Sequence, residues 1–198
     1  MNNLPNDWRT VSLSSVAFIQ TGLAKGGKQP QDAVELPYLR VANVQDGYFD
    51  LSEIKTIAID RKQIDRYALR EGDVLLTEGG DFDKLGRGTV WRGEISVCLH
   101  QNHLFAVRLD RNQVLPEFFA LQVSGSYGRS YFLNCAKRST NLASINKAQL
   151  SEYPVLLPPL PEQRKIAEIL GTWDAAIEHV TRLIAALQRR KQGLMQRL

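Results

Sequence analysis

The sequence predicts a mixed α/β (α+β) globular domain over residues 1–157, followed over residues 158–198 by a proline hinge and a long C-terminal α-helix that forms a coiled coil. Three observations carry this prediction. Ile166, Leu170, Trp173, Ile177, Val180, Ile184, Leu187, Lys191, Leu194 and Leu198 follow one another at steps of four and three with one polar member, the period of a helix that meets another helix. Ahead of them, short apolar stretches bounded by Gly, Asp or Asn mix strand-like with helix-like patterns, as in a layered α and β domain. Pro158, Pro159 and Pro161 stand between the two regimes, and proline lacks an amide donor and restricts the residue before it.

Taken in order, Val11–Thr21 reads as a short helix or strand, and Tyr38–Val44 as a strand. Val74–Thr77, Gly88–Arg92 and His103–Leu109 follow as strands, the last with apolar alternation. Pro116–Val123 opens with proline and carries Phe118, Phe119, Leu121 and Val123, which predicts a helix; a second is expected to include Gly128–Asn134. The segment from Pro161 onward predicts a rod about 57 Å long at roughly 1.5 Å per residue. Its charges agree with its direction, with Glu162 at the positive end of the helix dipole and Arg189, Arg190, Lys191 and Arg197 near the negative end. With Leu170 at heptad position a and Trp173 at d, Ile169, Ala176 and Leu183 fall at g, so the stripe is broader than a strict two-stranded seam. A helix folded back on its own domain is the competing reading. Against it, the pattern persists to Leu198 with no glycine cap, as in part of something longer.

The chain has 198 residues, 43% of them hydrophobic, enough for one cored domain plus an appendage. No apolar run approaches the ~20 residues of a membrane span, and the N-terminus lacks the pattern of a signal peptide, so a cytoplasmic location is expected. Cys98 and Cys135 have no Cys-x-x-Cys or Cys/His spacing and read as reduced packing residues. The net charge of +4 is unevenly spread. Nine cations face twelve carboxylates over residues 1–81, nine face five over 82–160, and seven face four over 161–198. A polyanion-binding face would therefore draw mainly on the middle segment.

The string Pro158-Pro159-Leu160-Pro161-Glu162-Gln163, followed by Ile166 and a long helix, resembles a segment of the specificity (S) subunits of type I restriction-modification systems. Further stations match in order: Trp8 through Thr21-Gly22, Pro37-Tyr38-Leu39-Arg40-Val41-Ala42-Asn43-Val44 with Gly47, Gly72-Asp73-Val74-Leu75, and Ser144-Ile145-Asn146-Lys147 ahead of Pro154. The resemblance covers essentially the whole chain and is to one target recognition domain with one spacer helix, where an S subunit carries two of each. It implies either the N-terminal half of a full subunit or a half-subunit that pairs with a second copy. It also implies a domain that reads a short half-site on double-stranded DNA, with helices that space the half-sites and dock methyltransferase subunits.

The residues offer three cationic clusters for such a task. Lys84, Arg87 and Arg92 lie among Gly79, Gly80, Gly86, Gly88 and Gly93, a pliable loop whose cations suit phosphates or guanine edges, or else an ordinary hairpin. Lys137, Arg138, Ser139, Thr140 and Asn141 combine two cations with three short hydrogen-bonding side chains, for DNA contact or for a capped turn. Lys25 and Lys28, with Gln20, form a third cluster around the loop Gly22–Gly27. Arg40 and Asn43 sit in a family-typical motif, where a structural role competes with DNA contact.

Catalysis finds little support. His100 and His103 point to opposite faces if both lie in a strand, so no metal is expected. The glycine loop lacks the P-loop spacing, and there is no Gly-x-Ser-x-Gly and no Asn/Asp-Pro-Pro-Tyr/Phe; no cofactor is expected. The chain is thus expected to be a non-catalytic DNA-binding specificity subunit that directs methyltransferase subunits, with or without restriction subunits, to a bipartite site. It is expected to be a homodimer through Ile166, Leu170, Trp173, Ile177, Val180, Ile184, Leu187 and Leu194. A dimeric DNA-binding or adaptor protein with no methyltransferase partner is the alternative.

Overall fold

A computed structural model describes residues 4–24, 32–80, 85–138 and 143–196. In chain order its elements begin with β1 (Arg9–Ser12), β2 (Ala17–Thr21), β3 (Ala33–Leu39), β4 (Lys55–Asp60), α1 (Ile64–Tyr67), β5 (Val74–Thr77) and β6 (Gly79–Gly80). They continue with β7 (Gly88–Val90), β8 (Leu99–His100), β9 (Leu104–Leu109), α2 (Pro116–Ser124), α3 (Ser126–Cys135), β10 (Lys137–Arg138), β11 (Ala143–Ser144), α4 (Lys147–Ser151), β12 (Pro154–Leu157) and α5 (Leu160–Met195).

Val74, Leu75, Leu76 and Thr77 present apolar or β-branched side chains on both faces, a pattern satisfied only by burial from two sides. Accordingly β5 lies inside an antiparallel sheet ordered β2-β9-β5-β7 that separates two cores. The two-residue period of a strand sorts the side chains between them. Val74 and Leu76 of β5, and Phe105, Val107 and Leu109 of β9, join Phe118 and Phe119 of α2, Phe132 of α3, and Tyr153 on one face. Leu75, Leu104 and Ala106 join Leu39, Val44, Trp91 and Cys98 on the other. There the Phe49 ring meets Trp91 edge-on, with centroids 5.3 Å apart. The short sheet β4-β3-β8 encloses a third, small cluster of Tyr38, Ile59 and Leu99.

Two sequence expectations are corrected. Tyr38–Val44 is not one strand, because β3 ends at Leu39 and Val41–Asn43 forms a 3-10 turn. The Asn43 side chain competes with the sheet ladder: it accepts from the Arg40 N–H at 2.9 Å and donates to the carbonyls of Asp50 and Glu53 at 2.9 and 3.0 Å. Val11–Thr21 is neither a single helix nor a single strand; β1 and β2 flank a 3-10 turn at Leu13–Ser15.

The root of α5 is tied to the head by its own first turn. Pro161 falls where its missing amide costs nothing, and Glu162 accepts from the Trp8 indole at 3.2 Å. Gln163 is fully buried; its side-chain oxygen accepts from Leu115 N–H, and its amide donates to the carbonyls of Gln113 and Pro158. Antiparallel pairing of β1 with β12 carries Trp8 to this joint. Beyond it the helix leaves the core. Residues 168–196 are exposed apart from a half-buried Ala185, and Ala167, Gly171, Asp174, Ala175, Ile177, Glu178 and Thr181 line an open groove of about 1180 Å³ shared with α2 and the 46–49 segment. Ile166, expected in the pairing seam, is instead partly buried against the main core, because it still lies within the helix's contact with the head.

Candidate functional site

The antiparallel order of the central sheet gathers strand ends that are far apart in sequence. Thr21 pairs with Phe105, Thr77 with Leu104, and Leu76 with Gly88, so β2 and β5 leave the sheet at the end where β7 and β9 enter it. The loop that begins at Gly22 and the glycine-rich segment after Thr77 therefore share one tip. A small sheet, β10-β11-β6, adds the third cluster: Ala143 and Ser144 pair with Gly80 and Gly79 on one side and with Arg138 and Lys137 on the other. Glycine is required for this stitch, since a Cβ at Gly79 would stand 2.7 Å from the Ala143 carbonyl oxygen. Gly86, at φ +66°, is held against the Phe132 ring. These glycines serve close packing at the base of the tip.

The candidates divide on this frame. Lys25, Lys28, Lys84, Ser139, Thr140 and Asn141 lie outside the described residues; their flanking segments 21–24, 79–80, 137–138 and 143–144 lie within them. Lys137 is exposed on β10. Arg87, beside Thr77, is half-buried and donates to Gln45 Oε1 at 2.9 Å, which turns it toward the 41–49 segment.

Three candidates do not belong to the tip. Arg92 follows the far end of β7, where Trp91 N–H donates to the Asp73 carbonyl, and its guanidinium lies 3.4 Å from Glu117 Oε1. Asn43 is 3% exposed, and the three hydrogen bonds that form its turn hold its side chain in the interior. Arg40, mostly buried, donates to the Glu53 carbonyl at 3.1 Å and pairs with its carboxylate at 3.6 Å. The last two hold the 40–53 loop against the core. Their alternation with Leu39 and Val41 already allowed that reading.

Two further side-chain pairs were not anticipated from the sequence, the first at the tip and the second toward the far end of β2. His103 Nδ1 lies 2.6 Å from Glu78 Oε2, joining the ends of β9 and β5. Phe18, on β2, is 57% exposed, with the Lys147 ammonium 5.8 Å from its ring centroid. An exposed aromatic at a strand position and a lysine at a helix start were the available signals, 129 residues apart.

His100 lies inside the fold at the stem of the Gly22 loop, with its Nε2 3.4 Å from the Gln20 carbonyl. Burial drives its pKa down to about 4, outweighing that hydrogen bond and the attraction of Asp73, so the ring is neutral near pH 7. Burial likewise pushes the Cys98 thiol up to about 12, which leaves it an inert packing group. Among the described residues, no group of three or more His, Cys, Asp or Glu side chains could hold a metal ion, and no helix is long and apolar enough to cross a membrane.

The second candidate surface is the rod. Leu170, Trp173, Ile177, Val180, Ile184, Leu187 and Leu194 are all exposed, with Trp173 at 66%; Ile169 and Leu183 widen the stripe. Glu178 and Arg182 pair along the rod, clear of the seam.

A family model described as the type I restriction modification DNA specificity domain matches residues 5–189. The chain is 28% identical over 200 residues to the putative type I restriction enzyme MjaX specificity subunit of Methanocaldococcus jannaschii, covering 100% of this chain and 47% of that protein. It is 25% identical over 191 residues to the type I restriction enzyme EcoKI specificity subunit of Escherichia coli K12, covering 92% and 40%. Among solved structures, a chain from work on complex assembly and conformational transition of the type I R-M system superposes with a TM-score of 0.68 at 22% identity, covering 97% of this chain and 44% of that one. The HsdS subunit from Thermoanaerobacter tengcongensis gives 0.58 at 20% identity, covering 98% and 49%. These likenesses establish the fold, a mixed α/β head with a long C-terminal helix. The chain spans under half the length of each of these relatives.

Proposed function

This chain belongs to the family of type I restriction-modification DNA specificity domains, and on that premise we propose that it is a non-catalytic half-subunit whose head reads one half-site of a bipartite sequence on duplex DNA. The observation that carries this reading is the convergence at the tip. The stems of two cationic segments, starting near residues 22 and 79, leave one end of the central sheet, and the third, near 137, is stitched to the second by β10-β11-β6. Cations there position the head on phosphates, and neighbouring amide and hydroxyl side chains are of the type that reads base edges in the major groove. Lys25, Lys28, Lys84, Lys137, Arg138, Ser139, Thr140 and Asn141 are the contacts we propose; Arg87 acts from the base of the tip.

The rod pairs two copies through Leu170, Trp173, Ile177, Val180, Ile184, Leu187 and Leu194, giving two heads at a set distance, and the assembly recruits methyltransferase subunits, with or without restriction subunits, in the cytoplasm. Methyl transfer and cleavage belong to those partners, and this chain needs no cofactor. Selection from a randomised duplex library by the chain together with its methyltransferase tests the proposal. Enrichment of a split sequence supports it, and recovery of DNA without any sequence preference refutes it. The exposed seam would equally serve a dimeric DNA-binding or adaptor protein with no methyltransferase. Affinity capture of the chain from its native cells separates the two readings, since only the first brings a methyltransferase with it.

A further inference from the structure

Resting on the proposed pairing of two copies, the position of one polar residue in the seam determines how the rods lie. With Leu170 at a, the exposed seam has Leu170, Ile177, Ile184 and Lys191 at a, and Trp173, Val180, Leu187 and Leu194 at d. In a parallel, in-register pair like positions meet, so Lys191 would face Lys191 of the second copy, and a buried ammonium facing another ammonium is strongly disfavoured. In an antiparallel pair a meets d. One register then matches all eight positions: Leu170 with Leu194, Ile177 with Leu187, Ile184 with Val180, and Lys191 with Trp173. The single cation meets the single indole, the ring best able to receive it, and Asp174 adjoins that ring at position e.

Shifting the rods by one heptad destroys this match. In one direction Lys191 faces Ile166, which is already packed against the head's core. In the other it faces Val180, which offers the ammonium nothing in return for lost water. The flanking positions agree with the matched register: Leu183 meets Leu183 and Thr181 meets Thr181 across the two-fold axis, while Arg190 meets Ala176. No like charges meet.

We propose that Lys191 of each copy seats on Trp173 of the other, and that this reciprocal cation–π pair fixes the one register the two rods take. A lysine at a single a position is the type of device that specifies register at some cost in affinity.

Cysteine pairing in the full chain tests it, with the wild-type chain, whose Cys98 is buried and Cys135 half-buried, as the background control. Chains carrying Ile177→Cys are mixed separately with chains carrying Leu187→Cys, Val180→Cys or Leu194→Cys, and oxidised. Cross-linking of Ile177→Cys with Leu187→Cys, and with neither of the others nor itself, is expected. Self-cross-linking of Ile177→Cys would show parallel rods, and pairing with Val180→Cys or Leu194→Cys would show a shifted register; either overturns the proposal. A wild-type chain that sediments as a monomer sinks the pairing of copies and this inference together, whereas a dimer with another cross-link pattern sinks only the register. For the contact itself, Lys191→Ala is expected to raise the dimer Kd about fivefold in the wild-type chain and to leave it unchanged in a Trp173→Leu chain. Equal effects in both backgrounds would overturn the contact.

Discussion

Phe119 of α2 and Trp173 of α5 are both large aromatic side chains on helices, yet Phe119 is fully buried while Trp173 is 66% exposed. The head spends its apolar side chains on itself, with two cores back to back across one sheet, whereas the rod leaves its stripe exposed. The same residue types therefore answer to different partners. In the head they hold strands whose ends carry the tip. On the rod they stand exposed, as the seam proposed to meet a second copy. Hydrophobicity alone does not separate the two uses; sequence period and the presence of covering elements do.

Truncation should distinguish the regions most sharply. Phe119→Ala is expected to cost the head about 3–5 kcal/mol in denaturant unfolding, by loss of burial and creation of a cavity. Replacing Ile184 and Leu187 by Glu should leave that unfolding curve within about 1 kcal/mol of wild type at high dilution, yet convert the dimer to a monomer in sedimentation. A large loss of head stability in the rod variant would mean that the stripe is covered from within, and the contrast would fall.

Acid should also act on the head alone. His100 resists protonation in the folded state, with a pKa of about 4 against about 6.5 for an unfolded chain. Its contribution is therefore fully present above pH ~6.5 and is lost as pH falls toward 4, by roughly 3 kcal/mol over that window. Denaturation at a series of pH values should show this slope in wild type and a reduced slope in His100→Gln, while dimer affinity stays flat over the same range. The joint is the next weaker link. Gln163→Ala leaves the Leu115 N–H and the Gln113 and Pro158 carbonyls without their side-chain partner, and is expected to cost about 2–4 kcal/mol. Altered spacer-length preference in the DNA selection, with the half-sites unchanged, would mark the joint as setting the angle between head and rod. The smallest effect is at the tip. Lys137→Ala should weaken binding to all duplexes alike and reduce the slope of log affinity against log salt by about 1, as for one lost phosphate contact.

Elements whose pattern is local were legible from the sequence. The four-three spacing after Pro161 gave the rod, Pro116 with Phe118 and Phe119 gave α2, and the apolar run Val74–Thr77 gave β5. Elements decided by a single side chain were not. Asn43 ends β3 by bonding three backbone groups, and no periodicity announces that. The tip was legible only in parts, because the stems of two of its segments come together through Gly79–Gly80 pairing with Ala143–Ser144, two residue pairs more than sixty positions apart. Arg92 was misplaced for the same reason: β7 runs antiparallel to β5, so five residues of sequence carry a side chain from one end of the sheet to the other.

The stitch through Gly79 and Ser144 also bears on how such a molecule could change its target. The stems at Gly22, Gly79–Gly80 and Ala143–Ser144 are anchored where strands end, so the proposed reading tip resembles a drill bit held in a chuck. Exchanging the bit would alter what is read while the grip, and the joint at Gln163 on the far side, stay as they are. New specificities would then be reached by swapping short segments, and the distance between the two readings would be inherited untouched.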